Sequence, residues 1–223
     1  AVRKYLIDEN TMLAAGNCQT SQAMAICYNI FEPAERKAAF EQLINLIEEQ
    51  EYHLDVGVLG GRVLFHVLTE FGYSDLAFSM ITRPDYPSYG NWIARGATTL
   101  WEVFQPEGSD RIGSLNHHFW GDISSWFTQA LSGIRMAPHG EPNEVDFRPS
   151  FISRLTHAEA FHIAPAGRIA SAWERDEDDV IVLTVKLPST MHGVIRLESG
   201  YVFEDDLAYK AAESGTYRIH SIE

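Results

Sequence analysis

The hydrophobic period of this chain changes once, and that change restricts the fold more than any single motif. As far as about residue 135, apolar residues return at i, i+3, i+4 and i+7: Phe40, Leu43, Ile44 and Ile47, then Leu64, Val67, Leu68 and Phe71. That is the spacing of helices with one buried face. Phe119, Ile123, Trp126, Phe127, Ala130 and Ile134 make a further stripe of the same kind. Beyond it the period is two. Ile181, Leu183, Val185 and Leu187 share one face of VIVLTVKLP, and GVIRLES and TYRIHSIE are short runs bounded by Ser-Gly and Pro-Ser turns. The expectation is α first and β second: helices in hairpin succession, then a small antiparallel sheet or sandwich.

Local signals agree with this order. Pro33 suits a first helical turn, Gly72 a C-terminal cap and Ser74 a new N-cap. The stretch APHGEPNEVDFRPS is polar and carries three prolines, which suits a connection, so the division is expected between residues 1–135 and 136–223. The start, AVRKYLIDENTMLAAGN, reads like the middle of a helix without a cap, which suggests a sequence that begins partway through a larger protein.

Several function classes are disfavoured. With 31 acidic and 17 basic residues, a formal charge of −14 and no Lys/Arg run longer than a pair such as Arg36-Lys37, the chain has no stripe for nucleic acid. No segment approaches the ~20 apolar residues of a membrane helix. Cys18 and Cys27 are expected as two free, buried thiols and leave the compartment open: a soluble bacterial protein, cytoplasmic, periplasmic or secreted. His117 and His118 are adjacent, so on a helix they point about 100° apart and do not share a ligand easily. His139, His157 and His162 are scattered, HExxH is absent, and no metal or cofactor is expected.

Chemistry is therefore sought in the loops. YPSYGNW, residues 86–92, sets Tyr86, Tyr89 and Trp92 beside helix-breaking residues, where rings either pack or stack on a sugar face. GATTLWE then places Glu102 behind small, hydroxyl and bulky apolar side chains. Partial desolvation there would raise its pKa toward a range useful for proton transfer. A glutamate complementing a helix N-terminus is the competing interpretation.

The order of motifs resembles the bacterial α-L-rhamnosidases of glycoside hydrolase family 78. The features are Cys18-Gln19-Thr20, the His53 to Gly60 stretch, the DYPS loop Asp85 to Ser88, GATTLWE, the S-x-NH signature Ser114 to His117, and a following G-x-x-x-W helix. Arg148-Pro149 and Gly167 to Trp173 continue the resemblance into a C-terminal β domain. It implies the second half of an (α/α)6 barrel over residues 1–135, capped by an antiparallel β-sandwich over 136–223. The implied reaction is hydrolysis of a terminal α-L-rhamnosyl bond with inversion. Glu102 would be the general base, His117 a partner of sugar hydroxyls, and Trp101 and Trp92 walls of the pocket.

The chain departs from the family pattern in three ways. No Asp or Glu in residues 1–50 matches the general acid; Asp8, Glu9, Glu35 and Glu48 are expected on solvated helix faces. His118 follows the signature histidine and Tyr89 follows DYPS, where the family commonly has an aromatic and a tryptophan. The expected partners are a rhamnose-containing glycoside or oligosaccharide and an upstream part of the same protein that supplies the acid. Alone, the chain is expected to be inactive and to self-associate through helix faces meant for that part. A sugar-binding or structural relative, and a different (α/α)6 carbohydrate-active enzyme, are the alternatives.

Overall fold

A short helix, α1 (Val2–Leu6), leads into a hairpin of β1 (Ile7–Asp8) and β2 (Leu13–Ala14). Asp8 makes the turn: its carboxylate accepts the N–H groups of Asn10 at 2.8 Å and Thr11 at 3.4 Å, and these bonds hold its pKa below the ordinary carboxylate value. Asp8 is thus a turn residue and not part of a helix face. Glu35 is likewise engaged, taking both guanidinium N–H groups of Arg3 at 2.5 Å. The computed structural model describes residues 2–109 and 113–222, in two compact units that divide between Ile123 and Ser124.

The first unit is a succession of helices: α2 (Gln19–Cys27), α3 (Arg36–Glu49), α4 (Val58–Gly61), α5 (Leu64–Glu70), α6 (Ser74–Thr82) and α7 (Tyr89–Ala94). The predicted stripes are largely the buried ones, with Leu46 joining Phe40, Leu43 and Ile47 on α3, while Ile44 and Phe71, the cap of α5, are only half-buried. α2 packs on α3, α4 and α5, α5 on α6, and α6 on α7. α5 ends in a Schellman motif: Gly72 at φ +82° donates to Thr69 O and Tyr73 to Leu68 O, a backbone position that favours glycine. α3 starts three residues after Pro33, and α6 starts at Ser74 itself with Tyr73 as cap. Cys18 and Cys27 are both free thiols, and each is half-buried.

The third stripe is only partly helical. His118–Trp120 is one 3₁₀ turn, α8 (Ile123–Trp126) runs into a π turn at Phe127–Leu131, and Ile134 belongs to a strand. Gly133, at φ +76°, makes the break; a Cβ there would stand 2.2 Å from Pro149 N. Phe119, expected inside, is 51% exposed.

The second unit holds two sheets. β3 (Ile134–Met136), β4 (Val145–Phe147), β5 (His157–Ala164), β6 (Gly167–Arg175), β7 (Ile181–Lys186), β8 (Val194–Arg196), β9 (Tyr201–Phe203), β10 (Tyr209–Ala211) and β11 (Gly215–Ser221) follow in order. One sheet runs β10-β8-β4-β3 and the other β5-β6-β7-β11-β9. Pairing is antiparallel except between β4 and β8, which meet at Phe147 and Ile195. The proline-rich stretch is the loop of the β3–β4 hairpin, closed by Ala137 N–H on Glu144 O. Ile181, Leu183 and Val185 of one sheet and Val145, Phe147 and Ile195 of the other share a core, which makes the unit a β-sandwich. Each is fully buried and contributes about 1.5–3 kcal/mol over exposure. Among the described residues, no helix is long and apolar enough to cross a membrane.

Candidate active site

The first helical unit builds the loop that carries Glu102 from a clamp outward. Arg83 donates to both carboxylate oxygens of Asp85, at 2.9 and 2.8 Å, and to Glu51 O. The His53 ring stands 2.9 Å from the same carboxylate. These bonds, Arg83's first and His53's second, hold the Asp85 carboxyl far below its ordinary value. Behind the clamp Ser88, buried and extended, caps α7 by accepting the Asn91 N–H at 2.8 Å. DYPS is thus a structural corner that fixes where α7 begins.

Two residues of α7 face inward, Tyr89 at 7% and Trp92 at 2% exposure. Trp92 stacks on Phe104 at 4.2 Å, and Phe104 meets Trp120 at 4.6 Å. Tyr89 touches Trp92, Phe104 and Trp120 edge-on. Trp101 lies half-exposed at the margin, 6.1 Å from Trp92, with the Arg95 guanidinium 5.2 Å from its ring. Tyr89 is therefore packing rather than a free platform, and Trp92 shows almost none of its ring to solvent. Tyr86, by contrast, is 41% exposed.

Glu102 lies in an irregular segment, not in a helix, so the helix-end interpretation does not apply. Residues 100–102 and 114–117 run side by side: Glu102 N–H donates to Ser114 O and His117 N–H to Leu100 O, each at 2.8 Å. The Ser114 N–H donates back to Glu102 Oε2 at 2.8 Å, and Thr99 Oγ1 donates to Leu115 O. The Glu102 carbonyl accepts the indole N–H of Trp120 at 2.9 Å. Glu102 and His117, fifteen positions apart, thus sit on paired backbone, and both are half-buried.

His117 caps the 3₁₀ turn, its Nδ1 accepting a long bond of 3.4 Å from Phe119 N–H. With Nδ1 as acceptor, the neutral ring carries its proton on Nε2, a donor suited to a hydroxyl oxygen. His118 lies 5.6 Å away with its ring nearly parallel, and Phe119 packs edge-on to His117 at 4.1 Å. Asp122 follows, 3.3 Å from His66. Among the described residues, no group of three or more His, Cys, Asp and Glu side chains is placed to hold a metal.

Two contributions are not legible in the sequence. Ser114 was visible as a motif residue, but its part is played by its backbone, which a motif does not encode. Trp120 carried no periodic signal because it sits in a single 3₁₀ turn; its only mark was a third aromatic-type residue after His117 in HHFW.

Comparison with known proteins bears on the family of the chain. Residues 1–131 match the family model for the bacterial α-L-rhamnosidase six-hairpin glycosidase domain, and residues 143–200 match the bacterial α-L-rhamnosidase C-terminal domain. An α-L-rhamnosidase of Streptomyces avermitilis is 31% identical over 179 residues, covering 78% of this chain and 17% of its own. One from Alteromonas sp. is 31% identical over 188 residues, 80% of this chain and 20% of its own. The chain thus spans about a fifth of the length of such curated relatives. The crystal structure of the Streptomyces avermitilis α-L-rhamnosidase complexed with L-rhamnose superposes with a TM-score of 0.85 at 26% identity, covering 97% of this chain and 22% of that one.

Proposed function

The chain belongs to the bacterial α-L-rhamnosidase family, and from that membership we propose that the protein carrying it removes terminal α-L-rhamnose with inversion, Glu102 serving as general base. The observation that supports this best is the anchoring of Glu102 by Ser114 N–H beside His117 on paired backbone. With one carboxylate oxygen held, the other has a defined direction in which to take a proton from water. An inverting glycosidase needs this base and an acid about 6.5–9.5 Å apart, so that the water fits between base and anomeric carbon while the acid protonates the leaving oxygen. We assign the acid to chain outside residues 1–223 because no Asp or Glu of residues 1–50 stands in a motif that matches it; of these, Glu35 is also committed to Arg3 and Asp8 to its own turn.

His117 is assigned to a sugar hydroxyl through Nε2. Trp101, with exposed ring surface, is assigned to the pocket wall, and Trp92 to the layer that backs it through Phe104. The barrel is assigned to the part matched over residues 1–131 and the C-terminal domain to the part matched over 143–200, with β3 (Ile134–Met136), which pairs with β4, on the C-terminal side.

The test uses the full-length protein and an aryl α-L-rhamnoside. Proton NMR during the first minutes should show β-L-rhamnose appearing before mutarotation, and Glu102→Gln should abolish it. First appearance of the α anomer would rule out inversion, and no turnover with retained rhamnose binding would favour the non-catalytic relative.

A further inference from the structure

We propose that Trp120 is a positioning residue for Glu102 and that Gly61 sets its seat, an inference that rests on Glu102 being the base. Ser114 bonds Glu102 twice, through the Glu102 N–H and Oε2. Those two bonds fix Glu102 to its own neighbouring strand of loop; on the far side of Glu102 the loop meets α7 through Arg95 on Gln105 O and Phe104 on Trp92, and neither contact reaches Glu102 itself. The Trp120 indole N–H, 2.9 Å from Glu102 O, ties that pair to the scaffold. Trp120 is equipped for this. It is 5% exposed, its turn packs on α4, and its ring is enclosed by Tyr89, Trp92 and Phe104. An indole has one N–H donor, and here it is spent on the backbone of the proposed base.

The backbone of Trp120 is held as well. Tyr89, 7% exposed, donates its hydroxyl to Trp120 O at 3.2 Å. Burial, and then the charge of Asp122, push the Tyr89 phenol upward, so it keeps the proton it donates. On the other side α4 comes so near that a Cβ at Gly61 would lie 2.6 Å from Trp120 Cζ3 and 3.0 Å from Cε3. Gly61 has no left-handed φ, so alanine suits its backbone and the whole consequence of adding a methyl falls on the indole. Three separate segments, α4 with Gly61, α7 with Tyr89 and the stretch that carries both Ser114 and Trp120, therefore converge on the placement of one carboxylate.

The experiment is a double-mutant cycle in the full-length protein on an aryl α-L-rhamnoside. Trp120→Phe keeps an aromatic body and deletes the N–H; a displacement of up to about 1 Å at the base costs roughly 10- to 100-fold in kcat. KM should stay within about threefold, because ground-state binding is untouched. Gly61→Ala, which never touches Glu102, should lower kcat about tenfold by the same route. If Trp120 acts through Glu102, Trp120→Phe should slow the Glu102→Gln enzyme no further. A merely structural tryptophan would slow both backgrounds by the same factor, and that outcome overturns the inference, as does Trp120→Phe turnover within twofold of wild type. If Glu102→Gln itself stays within a few-fold of wild type, the base assignment has failed instead. Should Trp120→Phe not accumulate as folded protein, 3-benzothienylalanine at position 120, isosteric and lacking the N–H, takes its place in the cycle.

Discussion

Replacing Gln22 by leucine should destabilise the first unit by about 3 kcal/mol, more than any exposed substitution on the same helices. Gln22 is fully buried, yet its amide is fully employed: Oε1 accepts the Ala14 N–H at 2.7 Å, and Nε2 donates to Met12 O at 2.9 Å and Ala39 O at 2.8 Å. It thereby ties the β1–β2 hairpin to both α2 and α3. Leucine fits the space, strands the Ala14 N–H, and takes one acceptor bond each from Met12 O and Ala39 O, the latter keeping its bond within α3. The Ala14 N–H, buried with no other acceptor position, accounts for about 2 kcal/mol, and the two carbonyls, each with a second lone pair and one of them near the surface, for about 1 together. For a unit of this size that is a fall of about 10 °C in melting temperature. Thermal unfolding should be read together with hydrogen exchange of a peptide covering residues 7–14, where the Ala14 amide should lose protection. Asn45→Leu, on the exposed face of α3, serves as the control and should stay within about 0.5 kcal/mol. A Gln22→Leu shift below about 1 kcal/mol with Ala14 still protected would refute the reasoning.

Two further outcomes follow from the same geometry. Asp85→Asn should cost about 1 kcal/mol at pH 6, a figure discounted because the carboxylate is half-exposed. Since the folded pKa lies below the unfolded one, the Asp85 contribution is whole above about pH 4 and drains away as the pH falls from there through the depressed native value. The wild-type advantage in urea midpoint should therefore shrink on acidification, and a constant gap down to pH 2.5 contradicts the clamp. The isolated 223-residue chain, with Tyr5, Leu59 and Ile93 at 74%, 58% and 73% exposure, should show a mass by light scattering that rises with concentration; a constant monomer mass counts against those faces being built for further hairpins.

How far the sequence could be read depended on where periodicity operates. Buried stripes on α3 and α5 and the alternation on β7 are repeats enforced by a one-sided core, so Leu43, Leu68 and Leu183 were legible as interior residues. Ile134 was misassigned because it continues a helical stripe in sequence, while Gly133 turns the chain into β3 one residue earlier. The proline-rich stretch resembled a connection because a hairpin loop obeys the same local chemistry. Around Glu102 the motif order marked Glu102 and His117, which the fold sets on paired backbone, but their placement comes from backbone bonds to Ser114 and an indole bond from Trp120, which leave no spacing to detect. Trp92 looked like a pocket wall for the same reason: its ring type was visible and its burial against Phe104 was not.

The most direct test of the central claim is the turnover of an aryl α-L-rhamnoside by full-length wild-type protein against Glu102→Gln, with L-rhamnose affinity measured on both. General-base catalysis predicts a loss of ~10²-fold or more in kcat with rhamnose affinity preserved. Turnover by Glu102→Gln within a few-fold of wild type would show that the water is activated elsewhere.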